Sequence, residues 1–108
     1  MDKKEKNKKD KEWADLVKVR DKHCVICKSK IRMNAHHLFP KELKELRWDL
    51  DNGITLCPKH HRFSFILSAH QNPLAFVLWL WDNRSEQYSK IIKKYNGIGN
   101  GFNTNEIK

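Results

Sequence analysis

Two pairs of adjacent histidines, His36-His37 and His60-His61, are the residues of this chain best suited to carry out chemistry. Asn52 lies between the pairs, fifteen residues after His37 and nine residues before His61. A neutral imidazole can bind a metal ion, and it can also accept a proton near pH 7. These histidines are therefore candidates for binding a metal ion and for activating a nucleophile.

A second group of residues has the spacing of a zinc site. Cys24 and Cys27 are separated by two residues, and the same gap separates Cys57 from His60. Zinc prefers four tetrahedral cysteine and histidine ligands, and two close pairs provide them. Three cysteines is an odd number, which argues against a disulfide framework, although reduced cysteines can also pack as small apolar side chains. The fourth ligand could also be a water molecule or a different histidine, His61 or His23.

The composition favours an acidic partner and one small domain. The chain has 108 residues and a net charge of +9. Residues 1–10 contain five lysines and three acidic residues, so only +2 of this charge lies there and +7 lies in the remainder. A nucleic acid is the natural partner of such a protein, although a basic soluble protein needs no such partner. The longest apolar run, residues 74–81, is too short to cross a membrane, and we expect a cytoplasmic protein.

The elements that must position these residues are short. Residues 1–10 have too little apolar surface to order and are predicted to be a disordered basic arm. Residues 74–81 are apolar all round, which predicts either burial or contact with a protein partner or a second copy of the chain. The pattern further predicts a helix over 11–21, strands over about 34–39 and 53–56, a helix from Pro58, helices over about 73–81 and 84–95, and a flexible tail over 96–108.

The histidine pairs, Asn52 and the two zinc half-sites together resemble the HNH endonucleases of the ββα-metal class. The resemblance covers roughly residues 24–61, and its specificity comes from the combination of spacings. It implies an α+β fold: a small ββα-metal finger stapled by a structural zinc, with flanking helices. The implied nuclease domain spans 11–95, with the zinc and finger core at about 23–70 and C-terminal helices at about 73–95.

The resemblance also implies a role for each residue of the motif. His37 matches the general base that activates water, and His36 and His61 match the ligands of a catalytic divalent ion such as Mg²⁺, Mn²⁺ or Ni²⁺. Asn52 would hold the loop and orient His37. The expected reaction is hydrolysis of phosphodiester bonds in double-stranded DNA, as in the phage and bacterial branches of the family. Basic residues that flank the site are candidates for phosphate contacts: Lys41, Lys44, Arg47, Lys59 and Arg62.

Two departures from the family pattern and one alternative remain open. The second half-knuckle ends in His60 where the family has cysteine. Phe65 stands where one branch has a third histidine ligand, so we expect only two protein ligands for the catalytic ion. His70 is expected on the far side of a continuous helix, with a structural or substrate-facing role. The alternative function is a zinc-stapled nucleic-acid-binding, packaging or recombination module that does not cut.

Overall fold

A two-stranded antiparallel sheet flanked by helices forms the structure, a computed structural model that describes residues 1–98. The predicted α+β class is confirmed. The predicted tail lies largely outside the described residues. The elements, in chain order, are helix α1 (Lys3–Asp21), strand β1 (Asn34–His37), a 3₁₀ turn (Leu50–Asn52), strand β2 (Gly53–Leu56), a π-helical turn (Lys59–Phe63), helix α2 (Pro73–Asn83) and helix α3 (Ser85–Asn96).

Helix α1 begins eight residues earlier than predicted. The expectation of a disordered arm over residues 1–10 is wrong for residues 3–10, which form the first turns of α1. Asp2 caps this helix, since its carboxylate accepts a hydrogen bond from the backbone N–H of Glu5 at 2.9 Å. Asp10 then ties the helix to the rest of the fold through Arg47 and Trp48. These contacts offset the conformational entropy that residues 3–10 lose on ordering, which their own composition could not offset.

Strand β2 is buried along its whole length, whereas β1 is partly exposed. The register pairs His36 with Ile54 and His37 with Gly53. Helix α1 packs against Gly53 so closely that a Cβ atom there would lie 2.5 Å from Cζ2 of Trp13. A residue with no side chain is therefore required at this position by close approach and not by backbone conformation.

Strand β1 ends two residues before the predicted boundary at Phe39. Beyond His37, the backbone N–H of Leu38 donates to the carbonyl of Asn52, and that of Phe39 donates to the side-chain oxygen of Asn52. The side chain of Asn52 thus takes the place of the next backbone hydrogen bond between the strands. The chain then leaves the sheet and enters the loop that leads to Trp48.

The core lies between the sheet and helix α2. It consists of Cys24, Ile54, Leu56, Cys57, Phe76 and Leu80. On α2, the residues at positions 74, 77, 78 and 81 are exposed, so this helix buries one face and not its full circumference. The predicted protein or dimer contact through residues 74–81 stays a prediction.

The buried carboxylate of Asp21 joins α1, β2 and α3. It accepts four hydrogen bonds: one from the backbone N–H of Thr55, two from the guanidinium of Arg20 and one from that of Arg84. Because every lone pair direction is used, the charge is stabilised despite its burial. No helix within residues 1–98 has the length and apolar character needed to cross a membrane.

Candidate metal centres and catalytic histidines

The two half-knuckles converge as the spacing predicts. The sulfur atoms of Cys27 and Cys57 are 3.6 Å apart. Nδ1 of His60 lies 3.7 Å from Sγ of Cys24 and 3.4 Å from Sγ of Cys57. A tetrahedral zinc ion with bonds of about 2.0–2.3 Å has edges of about 3.4–3.8 Å between its ligand atoms. The four side chains therefore fit a zinc ion, with His60 as the fourth ligand candidate.

The first half-knuckle is attached directly to the sheet. The backbone N–H of Val25 donates to the carbonyl of Thr55 at 3.1 Å, which fixes Cys24 beside Cys57. Lys28 has φ of 66°, and its N–H donates to the carbonyl of Cys24 at 2.8 Å, which closes the tight turn. Burial raises the pKa of the Cys57 thiol, and the neighbouring Cys24 adds to this effect. A bound cation would relieve that repulsion.

Three histidines form a second cluster about the end of β1. His36 comes from β1, His61 from the π-helical turn, and His70 from the loop before α2. One nitrogen from each ring lies within 4.8 Å of the others, and Nε2 of His61 and Nε2 of His70 are 3.1 Å apart. Two nitrogens that share one ion at about 2.0–2.1 Å are expected about 3.0–3.4 Å apart. The cluster can therefore hold a divalent ion.

The imidazoles of His36 and His61 are held in the neutral form near pH 7. Burial, together with the nearby His61 and His70 rings, lowers the pKa of His36 to about 3. Burial lowers the pKa of His61 to about 4, again with a contribution from His70 and from the Arg62 guanidinium. Neutral rings present lone pairs near pH 7, which is the form that binds a metal.

His70 reaches the cluster because the helical segment after Pro58 is short. The backbone N–H of Ala69 donates to the carbonyl of His60, and that of His70 donates to the carbonyl of His61, at 2.9 and 3.0 Å. Ser68 is fully buried, and its hydroxyl donates to the carbonyl of Ser64, which folds the loop back. The expectation that His70 lies across a continuous helix is wrong. Ser64 and Ser68, four residues apart in the sequence, were the signal that could have indicated this turn.

His37 lies on the other face of β1. Its ring stacks on Trp13, with centroids 3.9 Å apart, and its Nε2 is 2.9 Å from the carbonyl oxygen of Arg47. That carbonyl can only accept, so Nε2 carries the proton and Nδ1 keeps its lone pair. Burial lowers the pKa of His37, although the hydrogen bond to the Arg47 carbonyl and the charge of Asp10 oppose this. The structure does not bring His37 into the three-histidine cluster, but His37 follows His36 directly in the chain.

Asn52 is fully buried and bonds only to backbone groups within the described residues. Its side-chain oxygen accepts from the N–H of Phe39 at 2.7 Å, and its amide donates to the carbonyls of Phe39 and Leu46 at 3.0 Å each. Arg47, whose carbonyl meets His37, follows Leu46 in the chain. Asn52 therefore shapes the loop that contacts His37, without itself contacting the ring.

The five basic residues proposed to contact phosphate divide into two groups. Lys59 and Arg62 are exposed on the π-helical turn, next to His60 and His61. Lys41 and Lys44 are exposed in the loop after β1. Arg47 differs from the others, because its guanidinium forms an ion pair with Asp10 at 2.7 Å.

The β-hairpin, the helical turn after it and the segments on either side thus bring together two clusters of side chains that could each hold a metal ion, in a small α+β domain. A family model described as HNH endonuclease matches residues 24–63, from the first knuckle cysteine to the end of the π-helical turn. The match confirms the family resemblance over that segment. No curated protein and no solved structure matches the chain.

Proposed function

We propose that this protein is a metal-dependent endonuclease that hydrolyses phosphodiester bonds in DNA. The observation that carries the proposal is the convergence of His36, His61 and His70 on one point, within 4.8 Å of one another, inside and just beyond the matched segment. The nuclease domain spans residues 11–95 in this proposal, with the first turns of α1 as an addition to it.

The donor set of the cluster favours particular metals. Three imidazole nitrogens suit Ni²⁺ or Zn²⁺ best. Mn²⁺ also favours oxygen ligands but, as a transition-metal ion, binds imidazole more readily than Mg²⁺ does. When bound, the ion would stabilise the negative charge that develops on the phosphate and on the leaving oxygen. His36 is partly buried and held in the sheet, whereas His70 is exposed on a loop. Of the three histidines, His70 is therefore the one that another molecule or a substrate phosphate could displace from the metal most easily.

His37 is the proposed general base. Its Nε2–H is engaged by the carbonyl of Arg47, which fixes the tautomer and leaves Nδ1 to accept a proton from the attacking water. The Trp13 ring stacked on it restricts rotation. Burial lowers its pKa, so the ring is neutral and able to accept a proton at pH 7.

Asn52 acts as a positioning residue for this base. Through Phe39 and Leu46 it fixes the two ends of the loop whose carbonyl at Arg47 orients His37. The expected effect of its loss is therefore indirect: a change in loop structure, followed by a loss of activity.

The cysteine cluster is the proposed structural zinc site. Cys24, Cys27, Cys57 and His60 would hold the ion, which then clips the first knuckle to the start of the π-helical turn. His60 and His61 are adjacent in that turn but belong to different clusters. The structural site consequently sets the position of a ligand of the catalytic site.

One observation favours the alternative, a zinc-stapled module that binds nucleic acid without cutting it. His36 and His37 lie on opposite faces of β1, because the ladder is regular through His37. A catalytic site needs substrate to contact both faces at the strand end. The two functions differ in one measurable outcome, which is whether supercoiled DNA is converted to nicked or linear DNA.

The test is incubation of the wild-type protein with supercoiled plasmid and Mg²⁺, Mn²⁺, Ni²⁺ or Zn²⁺, with and without EDTA. The endonuclease proposal predicts nicked or linear product that disappears when EDTA is added, with Mn²⁺ or Ni²⁺ more effective than Mg²⁺. Retardation of the plasmid without any conversion, in all four metals, would support the binding module.

A further inference from the structure

A basic cleft lies between the first turns of α1 and the loop after β1. Its volume is about 480 Å³, within the range of pockets that hold small ligands and far below that of a double helix. Besides Met1, its lining consists of Lys6, Lys41, Glu42, Lys44, Arg47 and Trp48.

The walls of this cleft are fixed to each other. Arg47 donates two hydrogen bonds to the carboxylate of Asp10, at 2.9 and 2.7 Å, and the indole N–H of Trp48 donates to the same carboxylate at 2.9 Å. The Arg47 hydrogen bonds lower the pKa of Asp10 to about 2, so the pairing persists at neutral pH. Lys9 adds a contact, since its ammonium lies 5.0 Å from the centre of the Trp48 ring. The cleft is thus preorganised, with α1 as one wall.

The charge of the cleft is mostly unneutralised. Asp10 is engaged by Arg47, and Glu42 is the acidic residue of the lining. Within residues 1–98, the lining lysines Lys6, Lys41 and Lys44 form no ion pair. Lys9, which lies outside the lining and against the Trp48 ring, forms none either. Such a cluster of unpaired lysines favours a polyanion.

The cleft adjoins the proposed general base. Arg47 is a lining residue of the cleft, and its backbone carbonyl lies 2.9 Å from Nε2 of His37. A chain of phosphates bound in the cleft would therefore end beside His37.

We propose that this cleft binds the phosphodiester backbone of one strand of the nucleic-acid substrate and leads it to His37. The proposal rests on the endonuclease function proposed above, and it extends the binding surface to Lys6 and Lys9. These two residues lie in a segment whose sequence predicted disorder, and outside residues 24–63.

The test is equilibrium binding of a fluorescent DNA duplex by anisotropy, in EDTA, at several salt concentrations. The cleft variant is K6Q/K9Q, and the matched control is K4Q/K8Q. The control removes the same charge from the same helix, at positions about 160° around the helix from Lys6. A third variant, K41Q/K44Q, removes two charges from the opposite wall and leaves α1 unchanged.

Loss of two phosphate contacts should lower the slope of log K against log salt by about 1.8, and the affinity at 0.1 M salt by about tenfold or more. We expect this for K6Q/K9Q and for K41Q/K44Q, and a change of less than about 0.5 in slope for K4Q/K8Q. Equal slopes for K6Q/K9Q and K4Q/K8Q would overturn the inference. The inference would also be overturned if K41Q/K44Q bound the duplex with the affinity and salt dependence of the wild type.

Binding in EDTA separates this inference from the endonuclease proposal. If the wild type binds through the cleft but cuts no plasmid in any metal, the endonuclease proposal is wrong and the cleft assignment stands. If the wild type cuts and K6Q/K9Q binds and cuts like K4Q/K8Q, the cleft assignment is wrong and the endonuclease proposal stands.

Discussion

Replacement of Asn52 by alanine tests how the loop beside His37 is held. The change removes hydrogen bonds to the N–H of Phe39 and to the carbonyls of Phe39 and Leu46, all made by a fully buried side chain. A buried polar group left without a partner costs about 1–3 kcal/mol. Because three groups lose their partner and some regain water, we expect unfolding to become easier by about 3–5 kcal/mol.

The measurement is urea denaturation of both proteins at the same zinc concentration, since a bound metal shifts the apparent free energy. Asn83→Ala is the matched control. Its amide donates one bond, to the carbonyl of Trp79, from an exposed position. A change within about 0.5 kcal/mol is expected there.

Two outcomes would refute this account of Asn52. A free energy of unfolding within about 0.5 kcal/mol of wild type would show that the loop does not depend on these bonds. An inactive Asn52→Ala protein with wild-type stability would show that Asn52 acts on the substrate and not on the loop.

Three further predictions follow from the two clusters and the packing of the sheet. Cys24→Ser should lose both the tightly bound zinc and the cooperative melting transition, as elemental analysis and calorimetry would show; a zinc-free wild type that melts normally contradicts this. Gly53→Ala should destabilise the fold by about 1–3 kcal/mol or more, because the new methyl group would clash with Trp13. Wild-type stability would show that α1 can shift away from the sheet without cost. His70→Ala should keep its zinc and its melting temperature but bind added Mn²⁺ or Ni²⁺ at least about tenfold more weakly by calorimetric titration; unchanged affinity would remove His70 from the site.

The sequence predicts the sheet and the cysteine cluster well because their signals are local. A two-residue gap between ligands nearly fixes the geometry of a half-knuckle. Ile54, Thr55 and Leu56 form a short run typical of a strand, with Asn52-Gly53 before it and Pro58 after it. Because His60 and His61 are adjacent on a helical segment, the sequence likewise predicts that their side chains point in different directions. The structure places them in two different clusters.

The parts that could not be predicted depend on contacts between distant segments. Residues 3–10 order because Asp10 meets Arg47 and Trp48, thirty-seven and thirty-eight positions later in the chain. His70 joins His61 because the helical turn stops at Phe63 and the loop folds back, which periodicity does not reveal. The position of His37 on the Trp13 face follows from β1 staying regular to its end.

The most direct test of the proposed mechanism is the plasmid-cleavage rate of His37→Ala at saturating Mn²⁺ or Ni²⁺. His37 is the proposed base and not a metal ligand, so zinc content and DNA affinity should stay close to wild type. The melting temperature should fall only as far as the loss of the Trp13 stacking and the Arg47 hydrogen bond requires. Loss of a general base typically lowers a rate by about 10²–10⁴-fold, and we predict a decrease in that range. A His37→Ala protein that cuts as fast as wild type would contradict the mechanism proposed for this site.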